Sequence, residues 1–599
     1  MYFRKFPVNF VDRGMPRTLS PSEMPMTTRS LCKFPVACLV AAFAALLTPV
    51  AGWCVIASNN IPLDSPVYSY LEKLAGFGLV RSDIRGIRPF SRAEAARLLL
   101  EAESRAEEAR FLRVDEKDLA VLGLEGGAGM ADEIIARLRE RLARELALSG
   151  APEAAPRFGL ATPEYGRLRY VYVDGVPRSY FRPVFDPGDD GVFGIGSGLR
   201  PKNYYPAGVV YQRGTEGTPL FENNDGNVYR KWSNLDLRVS LQGYSTRYLS
   251  FLVEPQFMFS SDDSATTFRV NKGYLKAGGG PLELEVGRDE NWFGLGERGN
   301  ITLTNNSQNL DFVKLSNPEP ISAGFLGLLK YSLLFTQLDK SLVNSNERQP
   351  YLMAVKLSIK PTPPLEIGIN FARMFGGPGV SGSFGGIGGT AGNTANTIAG
   401  IELRLQLPWL RNAELYGEFS GEDSAGPWPI VESYVAGIYF PRITAGGRDD
   451  FRFEFFYGNQ ILYTNGSYPG GYTYHSMPLG HSQGGATIDF YGKYRHWFSL
   501  DTVLSLEYFH TERGNVGRVP VMSGFFYWNP DSPVSTYTHF QTVERKDAGR
   551  ITLNLPVPVL SGVTANLTYG IERVRNLDLQ PSGVNQTNQI VKVELNYRY

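Results

Sequence analysis

Residues Ile590–Tyr599 read I-V-K-V-E-L-N-Y-R-Y. Val591, Val593, Leu595, Tyr597 and Tyr599 alternate with Lys592, Glu594, Asn596 and Arg598. Successive side chains of a strand point to opposite faces, so this is one apolar face and one charged face. A membrane-crossing β-strand needs about 9–11 residues with aromatic residues at the interface. The segment meets both conditions. A terminal strand of a soluble sandwich would alternate too, so recurrence of the pattern decides between the two.

The pattern recurs. Leu235, Leu237, Val239 and Leu241 alternate with Asp236, Arg238, Ser240 and Gln242. Val355, Leu357 and Ile359 alternate with Lys356, Ser358 and Lys360. Ile401, Leu403, Leu405 and Leu407 alternate with Glu402, Arg404 and Gln406, and Val563–Ile571 behaves in the same way. The polar partners are mostly full charges and long amides. Such a run over about 440 residues suits a closed barrel with a wet lumen, because lipid tolerates no unpaired strand edge. The expected fold is mainly β: a large antiparallel transmembrane β-barrel of about 16–18 strands. Candidate strands start near Leu168–Val173 and end at 588–599, with 535–546 and 549–556 read as two of them. Five connections are long: Asp174–Tyr229, Asn291–Asp311, Gly376–Thr397, Asn459–Gly484 and Gly514–Ser535. In outer-membrane barrels long loops gather at one end.

Composition agrees. The chain has 599 residues, with 32 Tyr, 36 Phe and 65 Gly, which suits aromatic girdles and many turns. Lys plus Arg equals Asp plus Glu, so the formal charge is zero and a nucleic-acid partner has no basic excess to meet it. The three cysteines, Cys32, Cys38 and Cys54, all precede the strand region, which therefore holds neither disulfide nor thiolate metal site. The five histidines, at 475, 481, 496, 510 and 539, follow no zinc-binding spacing. The Gly376–Gly400 tract is rich in Gly, Ser, Thr and Asn but lacks a phosphate-loop signature. Neither cofactor nor metal is expected.

Before the strands the period changes. Residues 1–57 read as an export signal: Arg29 and Lys33 precede the apolar run Val36–Leu47, with cleavage sites after Ala51, Gly52 or Ala57. The basic stretch before that run is long, so Met24 or Met26 is a candidate start. Residues 58–156 read as a small α-helical bundle. Asp64-Ser65-Pro66 starts a helix carrying Val67, Tyr70, Leu71, Leu74 and Phe77 at helical spacing. Ser91 and Glu94 form a capping box for a second helix running to about Arg110. Ile134, Leu138, Leu142 and Leu146 make a third stripe. These stripes either form the bundle's own core or dock on a partner or the barrel mouth. Residues 157–599 are the barrel.

The densest polar stretch is Val286–Pro320. It carries Arg288, Asp289, Asn291 and Trp292, then Asn305 and Asn306. An aromatic face beside charges and amides is the equipment for a sugar: C–H faces stack on the ring while amides and carboxylates bind hydroxyls. The same residues would serve equally as lumen lining and turn formers. A second cluster holds Glu418 and Asp423, with Trp428 after it, and a third holds His475 and His481 beside Ser482. Gly480-His481-Ser482-Gln483-Gly484 formally matches a nucleophile elbow but lacks the strand–turn–helix context. A hydrolase built on these histidines, Ser482 and Glu418 or Asp423 is one rival reading, and a porin-like sugar channel is another.

The stretch G-R-D-E-N-W-F-G-L-G (Gly287–Gly296), followed by L-T-N-N-S (Leu303–Ser307), resembles the hallmark of the Wzi family of capsule-assembly outer-membrane proteins. It departs from the family pattern at Phe293, where a second Trp is common, and at Leu295, where Pro is common. Y-G-E-F-S-G-E-D (Tyr416–Asp423), P-L-G-H-S-Q-G-G (Pro478–Gly485) and L-D-S-P-V-Y-S-Y-L (Leu63–Leu71) resemble further blocks of that family. The resemblance implies an outer-membrane barrel with a periplasmic helical bundle and a non-enzymatic, lectin-like role in assembling or attaching capsular or exported polysaccharide. The partners it implies are that polymer, outer-membrane lipid and periplasmic export components, with the barrel expected to be a monomer.

Overall fold

The computed structural model describes residues 57–597, leaving out 113–118, 125–128, 151–157, 184–210, 381–394, 423–428, 464–467, 514–542 and 578–583 and gaps of one to three residues elsewhere. The export-signal reading of the first residues and the candidates Asp423 and Trp428 thus lie outside the described residues.

Eighteen antiparallel strands close into a barrel. They are β1 Gly166–Asp174, β2 Trp232–Val239, β3 Leu249–Ser260, β4 Thr266–Gly279, β5 Leu282–Asp289, β6 Leu310–Ser316, β7 Leu328–Gln337, β8 Tyr351–Thr362 and β9 Leu365–Phe375. There follow β10 Asn396–Leu407, β11 Ala413–Glu422, β12 Val431–Phe440, β13 Asp449–Gly458, β14 Thr487–Trp497, β15 Val503–Arg513, β16 Glu544–Pro556, β17 Val563–Arg575 and β18 Asn585–Tyr597. Each pairs with its neighbour in sequence, and β18 closes on β1 from Tyr597↔Gly166 to Gln589↔Asp174. The count falls in the expected range. At Gly549 the fold departs from the sequence reading: β16 is a single strand through Glu544–Pro556, whereas the sequence suggests a break between 546 and 549, and residues 535–542 of the candidate strand 535–546 lie outside the described residues. Gly549 sits within β16 and pairs with Tyr508.

The alternation is realised as expected. Leu235, Leu237, Ile401, Leu403, Leu567, Val591 and Val593 face outward as an apolar band, while Asp236, Arg238, Glu402, Arg404 and Glu594 are buried inside. The long connections all follow odd-numbered strands and so lie at one end. Short turns, such as those joining β8 to β9 and β14 to β15, lie at the other end, which faces the periplasm in outer-membrane barrels.

Among the described residues four helices stand at the short-turn end: α1 Pro66–Gly76, α2 Arg92–Phe111, α3 Met130–Arg141 and α4 Ala143–Gly150. Ser65 caps α1 with Pro66 at its first turn. Ser91 Oγ accepts the Glu94 N–H at 3.0 Å. The box is only half used, because the Glu94 carboxylate turns away to pair with Lys330 on β7. The stripes Val67, Tyr70, Leu71, Leu74 and Phe77 and Ile134, Leu138 and Leu142 share one core that continues onto barrel residues Trp497 and Val503. The stripes therefore serve as bundle core and docking face at once. Lys73 is fully buried and donates to Pro441 O (2.8 Å) and Gly447 O (2.7 Å) while pairing with Asp450 at 2.8 Å. Below α1, Asp83 bridges Lys360 (2.8 Å) and Arg404 (2.9 Å). Burial pushes its carboxyl up, but Arg404, Lys360 and Arg85 outweigh that and hold it well below the usual carboxylate range.

Candidate functional site

The stretches that carry the sequence signature meet inside the lumen, where they build a plug. Trp292–Phe293 pairs with Ile87–Arg88 as a short antiparallel ladder, and Phe293 bridges to Leu303. Gly294 bends the chain with φ +139°, and a Cβ there would lie 2.2 Å from Asn300 Oδ1. That contact explains why this turn takes glycine. Gly296 N–H donates to the same Asn300 oxygen at 2.8 Å. The Leu303–Ser307 stretch is then fastened to Pro478–Gly485: Thr304 N–H donates to Leu479 O (2.7 Å), Thr304 Oγ1 to Gly480 O (2.7 Å) and Asn306 Nδ2 to Pro478 O (3.1 Å).

Carboxylates from the barrel wall satisfy the plug's backbone. Glu418 accepts from Ile301 N (3.0 Å) and Thr302 Oγ1 (3.2 Å), and from its wall neighbours Asn370 Nδ2 (3.0 Å) and Ser420 Oγ (2.9 Å). Glu454 accepts from Glu297 N (2.6 Å) and Arg298 N (2.8 Å). Arg298 in turn pairs with Glu222 (3.0 Å) and Asp489 (3.3 Å). Burial raises the Glu222 carboxyl, but Arg298 and Lys546 outweigh it and bring it down to about 2. Tyr463 OH donates to Ile301 O and accepts the His481 N–H, both at 2.7 Å. Buried polar groups left unpaired cost about 1–3 kcal/mol each, so a loop folded into a lumen needs this degree of pairing.

The candidate residues therefore separate. Asp289 accepts from Asn60 Nδ2 at 2.7 Å, and Asn291 Oδ1 accepts from Lys314 at 3.2 Å. Trp292 stacks under the Arg88 guanidinium at 5.0 Å. Asn305 Nδ2 donates to Asp225 at 3.3 Å. These four, with Asn306, Glu418 and His481, are inside the barrel. Arg288 and His475 are not. Arg288 points outward from the end of β5 and pairs with the exposed Asp311 at 2.6 Å. His475 lies in the long loop after β13, where its N–H donates to Asp339.

The hydrolase candidates are committed elsewhere. The buried His481 ring stacks on Phe456 at 3.7 Å, and its Nδ1 accepts the Gln483 N–H at 3.3 Å. Burial, aided by Arg298, holds that imidazole well below its usual range, so it is neutral. Ser482 Oγ accepts from Gln483 Nε2 at 3.2 Å. Among the described residues no group of His, Cys, Asp and Glu could hold a metal ion.

Beside the plug lies a chamber of about 480 Å³. One wall is the lumen face of β14–β18 and β1; the other is Leu63–Ser69 with Arg88 and Trp292; Leu220–Asn224, Arg298 and Asn305 close its inner end. Of the sequence candidates, Trp292 and Asn305 line it. The sequence reading missed its wall residues Thr552, Asn554, Thr564, Asn566, Thr568 and Lys592. A signal was present: the inward positions at the short-turn ends of β16 and β17 are Thr and Asn, where β1, β9, β10, β11 and β13 carry Arg167, Glu366, Arg404, Glu414 and Asp450.

A sequence profile of the family described as capsule assembly protein Wzi matches residues 200–590, more than half of the chain. The fold is similar to that of Wzi of Escherichia coli, described as an outer membrane protein involved in group 1 capsule assembly and as a carbohydrate-binding β-barrel. The identity is 16% and the TM-score 0.57, over 90% of this chain and 99% of that one. OccD3 (OpdP) and OpdQ of Pseudomonas aeruginosa align at 9% identity with TM-scores of 0.37 and 0.38, over 75% and 74% of this chain and 96% and 97% of theirs. Alignments that loose carry no argument. A search of curated proteins found no match.

Proposed function

The chain belongs to the Wzi family of capsule assembly proteins, and from that premise we propose that it works without catalysis, holding or organising an exported polysaccharide in the manner of a lectin. It is an outer-membrane β-barrel, with its helices on the periplasmic side. The observation that carries the reading is the filled lumen. The signature stretches Gly287–Gly296, Leu303–Ser307 and Pro478–Gly485 are tied to one another, and residues 297–302 between the first two are tied to Glu418 and Glu454, a rigid interior suited to presenting a surface. The helical segment 58–156, docked through Lys73, Asp83 and Glu94, is the part available to periplasmic export components, and the barrel 157–599 acts as a monomer. Trp292 and Asn305 remain candidates for saccharide contact.

The test is co-sedimentation of the purified barrel with the host's isolated surface polymer. Retention of the barrel with the polymer supports the reading, and its absence removes the lectin role. A porin-like sugar channel is the second reading, favoured by the chamber alone. Stepwise single-channel currents from the intact protein would establish it; a silent bilayer would leave the polysaccharide role.

A further inference from the structure

We propose that the chamber is a binding site for the acidic end of a saccharide entering from the periplasm. The proposal rests on the polysaccharide reading above and adds a location and a ligand class to it.

Direction comes first. The lumen-facing residues nearest the short turns, Asn554, Thr564, Asn566 and Asn596, are half-buried, whereas lumen residues elsewhere, such as Lys356 and Glu402, are fully buried. At the same end the Asp64 side chain, on the rim, is 49% exposed. The N-terminal segment docks on β5–β13 through Asn60, Asp83, Glu94 and Lys73, reaches the start of β15 through Arg137–Asp501 and Val503, and makes no ion pair with β16–β18 among the described residues. The chamber is thus a blind vestibule with its mouth on the periplasmic side.

Its chemistry is graded along its length. The β16–β17 side of the mouth is neutral and polar: Asn566 Nδ2 donates to Asn554 Oδ1 (2.6 Å), Thr568 to Asn566 Oδ1 (3.0 Å), and Thr552 and Thr568 share a bond of 3.1 Å. An amide has two donor hydrogens and two lone pairs, so these contacts leave capacity for ligand hydroxyls. Elsewhere in the lumen buried charges close into ion pairs such as Lys356–Glu402 and Lys276–Glu283. At the inner end the carboxylates Glu222, Glu507 and Glu594 are paired with Arg298, Arg550 and Arg169, which leaves Lys592 and Arg88 as cations beside aromatic rings. Lys592 lies over the Phe221 ring at 5.4 Å, its nearest carboxylate oxygen is 4.0 Å away on Glu594, and it makes no hydrogen bond among the described residues. Arg88 lies over Trp292, donates to Gly296 O at 3.1 Å and has no ion pair among the described residues.

An ammonium with three donors and no close acceptor calls for an anion. Hydroxyl and amide partners ahead of it call for a polyol. A uronic acid, or another pyranose bearing a carboxylate, joins the two, and the volume lies in the range of small-ligand sites, about 300–1,000 Å³. An acidic peptide is the poorer fit, because a closed barrel offers no free strand edge for its backbone.

The test is calorimetric titration of the full-length protein in detergent with a glucuronic acid–glucose disaccharide and with its neutral glucose–glucose counterpart. We expect the acidic sugar to bind at least tenfold more tightly, and Lys592→Met to abolish that preference. Lys340→Met, in the exposed Lys340–Glu347 pair of an outer loop, should leave it intact. Heat-modifiable gel migration verifies folding, and if Lys592→Met does not fold, Asn566→Leu replaces it and should weaken both sugars several-fold. Equal affinity for the two sugars, no binding of either, an unchanged Lys592→Met or equally tight binding of a Glu-rich tetrapeptide would overturn the proposal. A barrel that sediments with whole polymer yet ignores both disaccharides loses the chamber site and keeps the surface role.

Discussion

Replacing Glu418 by Ala tests the physical account of the plug. Two of its four hydrogen bonds reach the plug, from Ile301 N and Thr302 Oγ1; the other two stay within the wall. Hydrogen bonds to a charged group contribute about 1.5–3 kcal/mol each, so the plug loses about 3–6 kcal/mol if nothing replaces them. Water entering the vacated space recovers part of this, leaving a net loss of about 2–3 kcal/mol for local opening. At about 1.36 kcal/mol per tenfold change, the open population rises roughly 30- to 150-fold. Hydrogen exchange read by mass spectrometry follows this directly. Peptides spanning 294–306 should exchange faster by that factor, while peptides from β16–β18 keep their wild-type rates. Glu418→Gln, which retains one acceptor, should fall between. Unchanged exchange in 294–306, in a variant that still folds, would refute the claim that this carboxylate holds the plug.

The same reasoning extends to three further sites. Glu222, brought down to about 2 from 4.5, contributes about 3 kcal/mol that is fully present above pH 4.5 and lost as pH falls towards 2. About 2 kcal/mol of it should be gone at pH 3, so the wild type should lose more thermal stability than Glu222→Gln between pH 6 and pH 3. Asp450→Ala leaves the buried Lys73 ammonium without its carboxylate, a change that costs about 3–5 kcal/mol; limited proteolysis should then release the helical segment while the barrel survives. Ile401→Lys puts a charge on the lipid face near mid-strand and should cost about 2–4 kcal/mol in folding into bilayers, whereas Ile401→Val should cost little.

How much of this was legible follows from where hydrogen bonds go. The strands were readable because each backbone is satisfied by an adjacent strand and each side chain by a period of two, as in Ile401–Leu407 and Val563–Ile571. The split between 546 and 549 fails because Asp547 followed by Gly549 resembles a turn, while cross-strand pairing with Tyr508–His510 keeps the strand whole. The helix starts at Ser65 and Ser91 were readable from local capping. The plug was not, because its partners are distant: Ile301 depends on a residue 117 positions away and Glu297 on one 157 away. No spacing rule reports such pairs. Lys73 and Glu94 likewise look like surface charges of amphipathic helices, and only the barrel supplies Asp450 and Lys330. Arg288 is different, since alternation from the inward-facing Glu285 already puts it outside. The aromatic and amide residues around it drew it into a lumen cluster that it does not join.

Signature residues that build a plug and a vestibule that opens inward place the polymer-facing work on a rigid barrel. An in-frame deletion, with polysaccharide quantified separately on washed cells and in the medium, measures that work most directly. Polymer should move from the cells to the medium while total output holds, and the wild-type chain should restore the cell-bound fraction. Unchanged amounts in both fractions would contradict a role in capsule assembly.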